Sequence, residues 1–115
     1  MLPTNRAVYL AVQPVDMRKS IDALGLLVSL HFEKNPSDGT FYVFSNAGRN
    51  KVKILYWDVN GFCLWYKRLE KQRFHWPMEV GRGHSLSRRE LDWILAGLDL
   101  QKLTPHRPLD YSILG

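Results

Sequence analysis

The stretch KVKILYWDVNGFCLWYKRLEKQRFHWP, Lys51 to Pro77, decides the fold. Lys51 to Trp57 is rich in β-branched and aromatic residues, which suit a pleated, half-buried strand. Its alternation puts Val52, Ile54 and Tyr56 on one side and Lys51, Lys53, Leu55 and Trp57 on the other. Asp58-Val59-Asn60-Gly61 is a turn, because asparagine and glycine accept positive φ. Phe62 to Leu69 returns as the next strand, with Lys67 on the side of Cys63 and Trp65. Glu70-Lys71-Gln72 turns again, and Arg73 to Trp76 begins a short further strand that Pro77 stops. Connections this short leave no room for crossover helices, so the three strands are expected as an antiparallel meander.

The flanks complete the picture. Ala7 to Val12 reads as a strand ended by Gln13-Pro14. Asp16 is placed to cap a helix whose Met17, Ile21, Leu24 and Val28 share one face, fading near Asn35-Pro36. Ser37-Asp38-Gly39 is a turn, Phe41 to Ser45 a strand, and Asn46 to Asn50 a polar loop. Beyond the meander, Glu79 to His84 reads as a loop. Ser87-Arg88-Arg89-Glu90 is then a capping box, with Leu86 and Leu91 spaced as a hydrophobic staple. Leu91, Ile94, Leu95 and Leu98 form one helical stripe. The expected fold class is α+β: an antiparallel β-meander sheet of about five strands, an N-terminal helix and a capped C-terminal helix. A single domain is expected over residues 1–103, with an irregular tail, 104–115, that holds Pro105 and Pro108.

With 115 residues the chain has room for one core, and 45% hydrophobic against 23% charged residues argues against disorder. The single cysteine, Cys63, excludes an internal disulfide and a CxxC zinc pair, and fits a reducing, cytoplasmic location. The opening MLPTNRAVYLAVQP has too short an apolar run for a signal peptide, and no stretch approaches the ~18 apolar residues of a membrane helix.

The net charge of +5 is unevenly placed. Between Ser45 and Glu90 lie ten basic residues against four acidic ones, a net of +6, so the rest of the chain is slightly acidic. Aromatics are interleaved with these cations, and lysine or arginine beside exposed rings can neutralise phosphates and stack bases together. The candidate nucleic-acid-binding residues are Arg49, Lys51, Lys53, Trp57, Lys67, Arg68, Lys71, Arg73 and Trp76. Core packing competes with this reading. It claims Tyr56 and Phe62, leaves Trp57 and Trp76 open, and lysines also protect edge strands from aggregation. Arg88 and Arg89 stand at the positive end of the capped helix, where binding or chance equally accounts for them.

Catalytic patterns are missing from the sequence. His31, His75, His84 and His106 form no HxxxH or HExxH spacing, and there is no P-loop, dinucleotide fingerprint or nucleophile elbow. Asp16, Asp22 and Asp58 could in principle meet as carboxylates for two-metal chemistry, but a helix cap and a turn account for Asp16 and Asp58. No metal, no cofactor and no enzymatic activity are expected.

The run Val15-Asp16-Met17-Arg18-Lys19, then Val43-Phe44, then KILYWD, GFCLWYKRLE and RFHWP in that order resembles the TnpB-type accessory protein of the insertion sequence sixty-six family, an Orf-two-like protein. The resemblance covers roughly residues 6 to 100. The positions that carry it are Asp16, Met17, Arg18, Asp58, Gly61, Phe62, Tyr66, Lys67, Arg68, Leu69, Glu70, Phe74, Trp76 and Pro77. It implies a non-catalytic role in DNA transposition beside a separate transposase, and it carries over no catalytic residue. DNA and that transposase are the expected partners, and no membrane is expected. The leading expectation is DNA-backbone binding by a basic, aromatic-interleaved sheet. The alternative is a protein module that docks on the transposase without touching DNA.

Overall fold

A computed structural model of the chain describes residues 2–78 and 85–103. The expected loop from Glu79 to His84 and the tail from Thr104 lie outside the described residues. In chain order the elements are β1 (Val8–Leu10), α1 (Ile21–Leu30), β2 (Phe41–Ser45), β3 (Lys51–Asp58), β4 (Gly61–Arg68), β5 (Ser85–Leu86), α2 (Arg88–Leu95) and α3 (Leu100–Leu103). The class is α+β, as expected.

The sheet is mixed, in the order β4-β3-β2-β1-β5. β2, β3 and β4 are successive antiparallel neighbours, but β1 pairs parallel to β2, with Val8 opposite Phe41 and Leu10 opposite Val43. The long connection through α1 makes that parallel pairing possible. The expected all-antiparallel meander is therefore corrected in two places. The first is this parallel pair. The second is the fifth strand, which is Ser85–Leu86, antiparallel to β1. Arg73 to Trp76 joins no ladder. Its Phe74 N–H donates to Arg49 O at 2.7 Å, and Phe74 and Trp76 close the end of a core with their side chains. The alternation read there as a strand was alternation between core and solvent.

Helices cover both faces. On one, Leu24 and Val28 of α1 are fully buried against Tyr42, Phe44 and Leu55. On the other, Leu91, Ile94 and Leu95 of α2 pack with Phe41, Val43, Val52, Ile54, Phe74 and Trp76. β2 lies between the layers and is buried on both sides, which is why FYVFS reads as an unbroken apolar run ending in a serine. Ser45 is tolerated there because its hydroxyl donates to Lys51 O at 2.9 Å.

The helix ends differ from expectation at the first helix and match it at the second. α1 begins after Ser20, and Asp16 caps nothing: it accepts from Arg18 instead. α1 also stops before Pro36 has any influence, since Glu33 takes φ 55 and the Lys34 N–H turns back to Val28 O at 3.1 Å. The capping box of α2 is fully formed. Glu90 N–H donates to Ser87 Oγ at 3.1 Å, and Ser87 N–H donates to the Glu90 carboxylate at 2.9 Å. Such a cap contributes about 1 kcal/mol. Leu98, assigned to the same stripe, lies past the helix end and is exposed, because Gly97 at φ 86 breaks the register.

Candidate nucleic-acid interface

The β3–β4 hairpin sorts its side chains by parity. Lys51 stands opposite Arg68, Val52 opposite Lys67, and Lys53 opposite Tyr66. Lys51, Lys53 and Arg68 therefore share the α1 face with Tyr66 and Trp57, while Lys67 shares the α2 face with Val52, Cys63 and Trp65. The cations singled out in the sequence are divided between two sides of the sheet.

On the α2 face they are bound into the fold. Lys67 Nζ donates to Leu95 O at 2.9 Å, capping the last turn of α2 where its free carbonyls attract a cation. Arg49, at φ 57 in the β2–β3 loop, donates through one amine to Val12 O at 2.9 Å, and its guanidinium lies 5.4 Å from the centre of the Trp76 ring. Burial lowers the Arg49 pKa. Trp76 is buried, and its indole N–H donates to Ala11 O at 2.9 Å. Of the two tryptophans left open, Trp76 is thus a core residue. Trp57 is half-buried, edge-on to Phe62 at 5.1 Å. Tyr56 is buried as expected, and Cys63 opposite it is half-buried.

The α1 face holds one cation bound into the fold, Lys53, beside others that reach solvent. Lys53 Nζ donates to Met17 O at 2.6 Å and Lys19 O at 2.8 Å. It thereby holds the Asp16–Lys19 loop against the end of the hairpin, where Lys51 and Arg68 project. Arg18 and Lys19 are exposed there. Lys53 also lies 5.8 Å from the centre of the exposed Tyr66 ring. Two carboxylates temper this group. Asp16 accepts from Arg18 down to 2.6 Å, and those hydrogen bonds hold its carboxyl far below the usual range. Glu70 pairs with Arg68 at 3.0 Å, but both side chains are well exposed, so the pair contributes about 0–1 kcal/mol and opens easily. Arg18, Lys19, Lys51, Lys53 and Arg68 against Asp16 and Glu70 leave a net of three positive charges.

Two like charges directly across a ladder, as Lys51 and Arg68 are, destabilise it by roughly 0.2–1 kcal/mol. The Glu70 carboxylate, paired with Arg68, offsets part of that repulsion. Lys71 and Arg73 are exposed in the segment after β4 and have no hydrogen bond or ion pair among the described residues.

Sequence reading placed Arg18 in a motif but missed its position beside the hairpin, and Lys19 with it. The contacts that bring them there span 36 and 34 residues, so no local pattern announces them. It also missed Arg6, which donates to Gly39 O and Trp57 O at 3.0 and 2.8 Å and pairs with Asp58 at 3.0 Å, locking the hairpin tip. Asp58 and Asp16 are each held by an arginine, and among the described residues no three His, Cys, Asp or Glu side chains group as metal ligands. No helix among them is long and apolar enough to cross a membrane.

Comparison with known proteins covers most of the chain. The chain is 36% identical over 101 residues to the protein "Uncharacterized protein y4hO" of Sinorhizobium fredii, covering 86% of this chain and 88% of that one. It is 32% identical over 92 residues to "Uncharacterized protein y4jC" of the same organism, covering 80% and 79% respectively. No solved structure matches it. The family model described as IS66 Orf2 like protein matches residues 6–105, which takes in both the Asp16–Lys19 loop and the hairpin. The chain therefore belongs to the IS66 Orf2 like family, the accessory proteins associated with insertion sequences of that type.

Proposed function

We propose that the protein assists DNA transposition without catalysis, by binding the DNA backbone through the basic end of its α1 face. One observation carries this reading: Lys53 donates to Met17 O and Lys19 O, which ties the Asp16–Lys19 loop to the hairpin face that also bears the opposed Lys51 and Arg68. Tyr66 adds an exposed ring on which a base can stack. Backbone contact of this kind carries little sequence preference. Of the nine residues first singled out, Lys51 and Arg68 are at the centre of the proposed surface and Lys53 anchors it. Lys71 and Arg73 are exposed in the segment after β4, Trp57 lies at the far, turn end of the hairpin, and Arg49, Lys67 and Trp76 belong to the opposite face.

Fluorescence anisotropy of a labelled duplex over a salt series tests it. Neutralising about three phosphates gives a slope of log K against log salt near −3. Lys51→Glu and Arg68→Glu should each weaken binding and flatten that slope, whereas Lys102→Glu on α3 should leave both unchanged. Absence of binding at low salt, or equal loss in all three variants, removes the reading. A second reading, docking on the separate transposase, is favoured by the exposed Leu26 and Leu30 on α1, which at 59% and 65% exposure have no use in the fold. Retention of the protein by immobilised transposase, with no DNA binding, would put that reading first.

A further inference from the structure

β4 is an edge strand among the described residues: β3 is its single neighbour there in the sheet. The Leu69 N–H donates to Asn50 O at 2.8 Å, which sets the phase of the ladder. Because facing pairs alternate, odd-numbered residues of β4 turn their amides to β3, and Phe62, Leu64, Tyr66 and Arg68 turn theirs outward. Among the described residues those outward groups have no partner. Edge strands are ordinarily blunted by proline, a bulge or an inward-pointing charge. From Gly61 to Tyr66 this one has none of these, and its register with β3 is unbroken over all its residues.

We infer that this edge is an interface with a second copy of the same chain, β4 to β4, antiparallel, about a two-fold axis at Leu64. The phase requires outward residues to face outward residues, and the Leu64-centred register meets that requirement while overlapping the whole strand. Leu64 then faces Leu64 of the partner subunit, and Phe62 faces Tyr66 of the partner subunit. About six new backbone hydrogen bonds form. Charge favours the same arrangement. The strand ends in Lys67-Arg68, while the carboxylate beside its start, Asp58, is paired with Arg6, so an antiparallel copy sets the basic end of one chain beside the uncharged turn end of the other, where a parallel one would superpose the two basic ends. In this arrangement the α1 faces of both copies lie on the same side of the joined sheet. The pairing does not depend on DNA, and its test uses none.

The experiment is sedimentation equilibrium on the full chain and two variants. The wild-type protein should show twice its 13.4 kDa mass at high concentration. Tyr66→Pro removes one outward N–H, at a position where the inner ladder does not use it, and should return the mass to a single chain. Tyr66→Ala keeps that N–H and should remain a dimer. If Tyr66→Pro does not fold, amide exchange on the wild-type protein decides. The Leu64 and Tyr66 amides should exchange at least roughly tenfold more slowly in concentrated than in dilute protein, and the Cys63 and Trp65 amides should not change. A wild-type chain that is monomeric throughout, equal dissociation of the Ala and Pro variants, or unchanged exchange at Leu64 and Tyr66 overturns the inference. So does pairing of β4 with a strand of a different protein and not with itself.

Discussion

Lys67 and Lys51 sit on one hairpin, carry the same amine and differ in parity. Lys67 meets the open C-terminus of α2 and becomes part of the fold. Lys51 meets Arg68 across the ladder and, nearby, the loop held by Lys53, on the face proposed to bind DNA. A cation on a half-buried sheet is thus taken into the fold or left at the surface according to what covers its face. The side chain's own chemistry is silent on which.

The largest effect should come from breaking the α2 face at its anchor. Trp76→Ala removes a buried ring, its bond to Ala11 O and the support under Arg49. Urea unfolding should show a loss of about 3–5 kcal/mol. The comparison itself is sharpened by exchanging each lysine for methionine. Lys67→Met should cost roughly 1.5–3 kcal/mol, as loss of a hydrogen bond from a charged donor does, with DNA affinity nearly intact. Lys51→Met should stay within about 0.5 kcal/mol of wild type in unfolding while weakening DNA binding, as an exposed substitution that relieves repulsion. Similar stability losses from the two exchanges would show that the faces are not distinct.

The hairpin tip belongs to neither face. Val59 sits there at φ 54 and is 89% exposed, a strained conformation for a β-branched residue with almost nothing to pack against. Val59→Gly should therefore raise the unfolding free energy by about 1 kcal/mol. A loss instead would mean that Val59 packs more than its exposure suggests. The smallest effect concerns pH. Burial, then the bond to Asp38, raises the Tyr42 pKa above its ordinary 10.0. The folded state therefore holds the phenolic proton more tightly than the unfolded chain. The stability tied to it is complete below pH 10 and declines above it. A stability–pH profile of Tyr42→Phe should be flatter than wild type in that alkaline range.

Much of the fold was legible because its signals are local. The Asp58–Gly61 turn, the alternation of Lys51 to Trp57 and the Ser87–Glu90 box each act within a few residues, and each is found in the structure, although the positive φ of the turn falls on Val59 and not on Asn60 or Gly61. The misreadings came where a local pattern had two uses. Alternation at Arg73 to Trp76 described a chain lying on a core and not a ladder, because the partner of Phe74 is the loop at Arg49. Asp16 before an apolar period looked like a cap, but a carboxylate two residues from Arg18 makes a better pair with it. The candidate surface was half legible. Its meander cations were chosen by charge alone, and charge does not reveal which amines the fold will occupy.

The sequence by itself determined the class, the hairpin and its parity, the cap of α2, the excess charge on the middle of the chain and the family. Those depend on periods of two or about four residues and on turn chemistry, which neighbouring residues enforce. Only the tertiary structure decided that β1 inserts beside β2, that Lys67 closes a helix and that Lys53 draws Arg18 and Lys19 to the hairpin. Each of these is a contact between parts of the chain about thirty residues apart, and it forms because burying both faces of one sheet brings distant segments together, where buried carbonyls and amines must find partners.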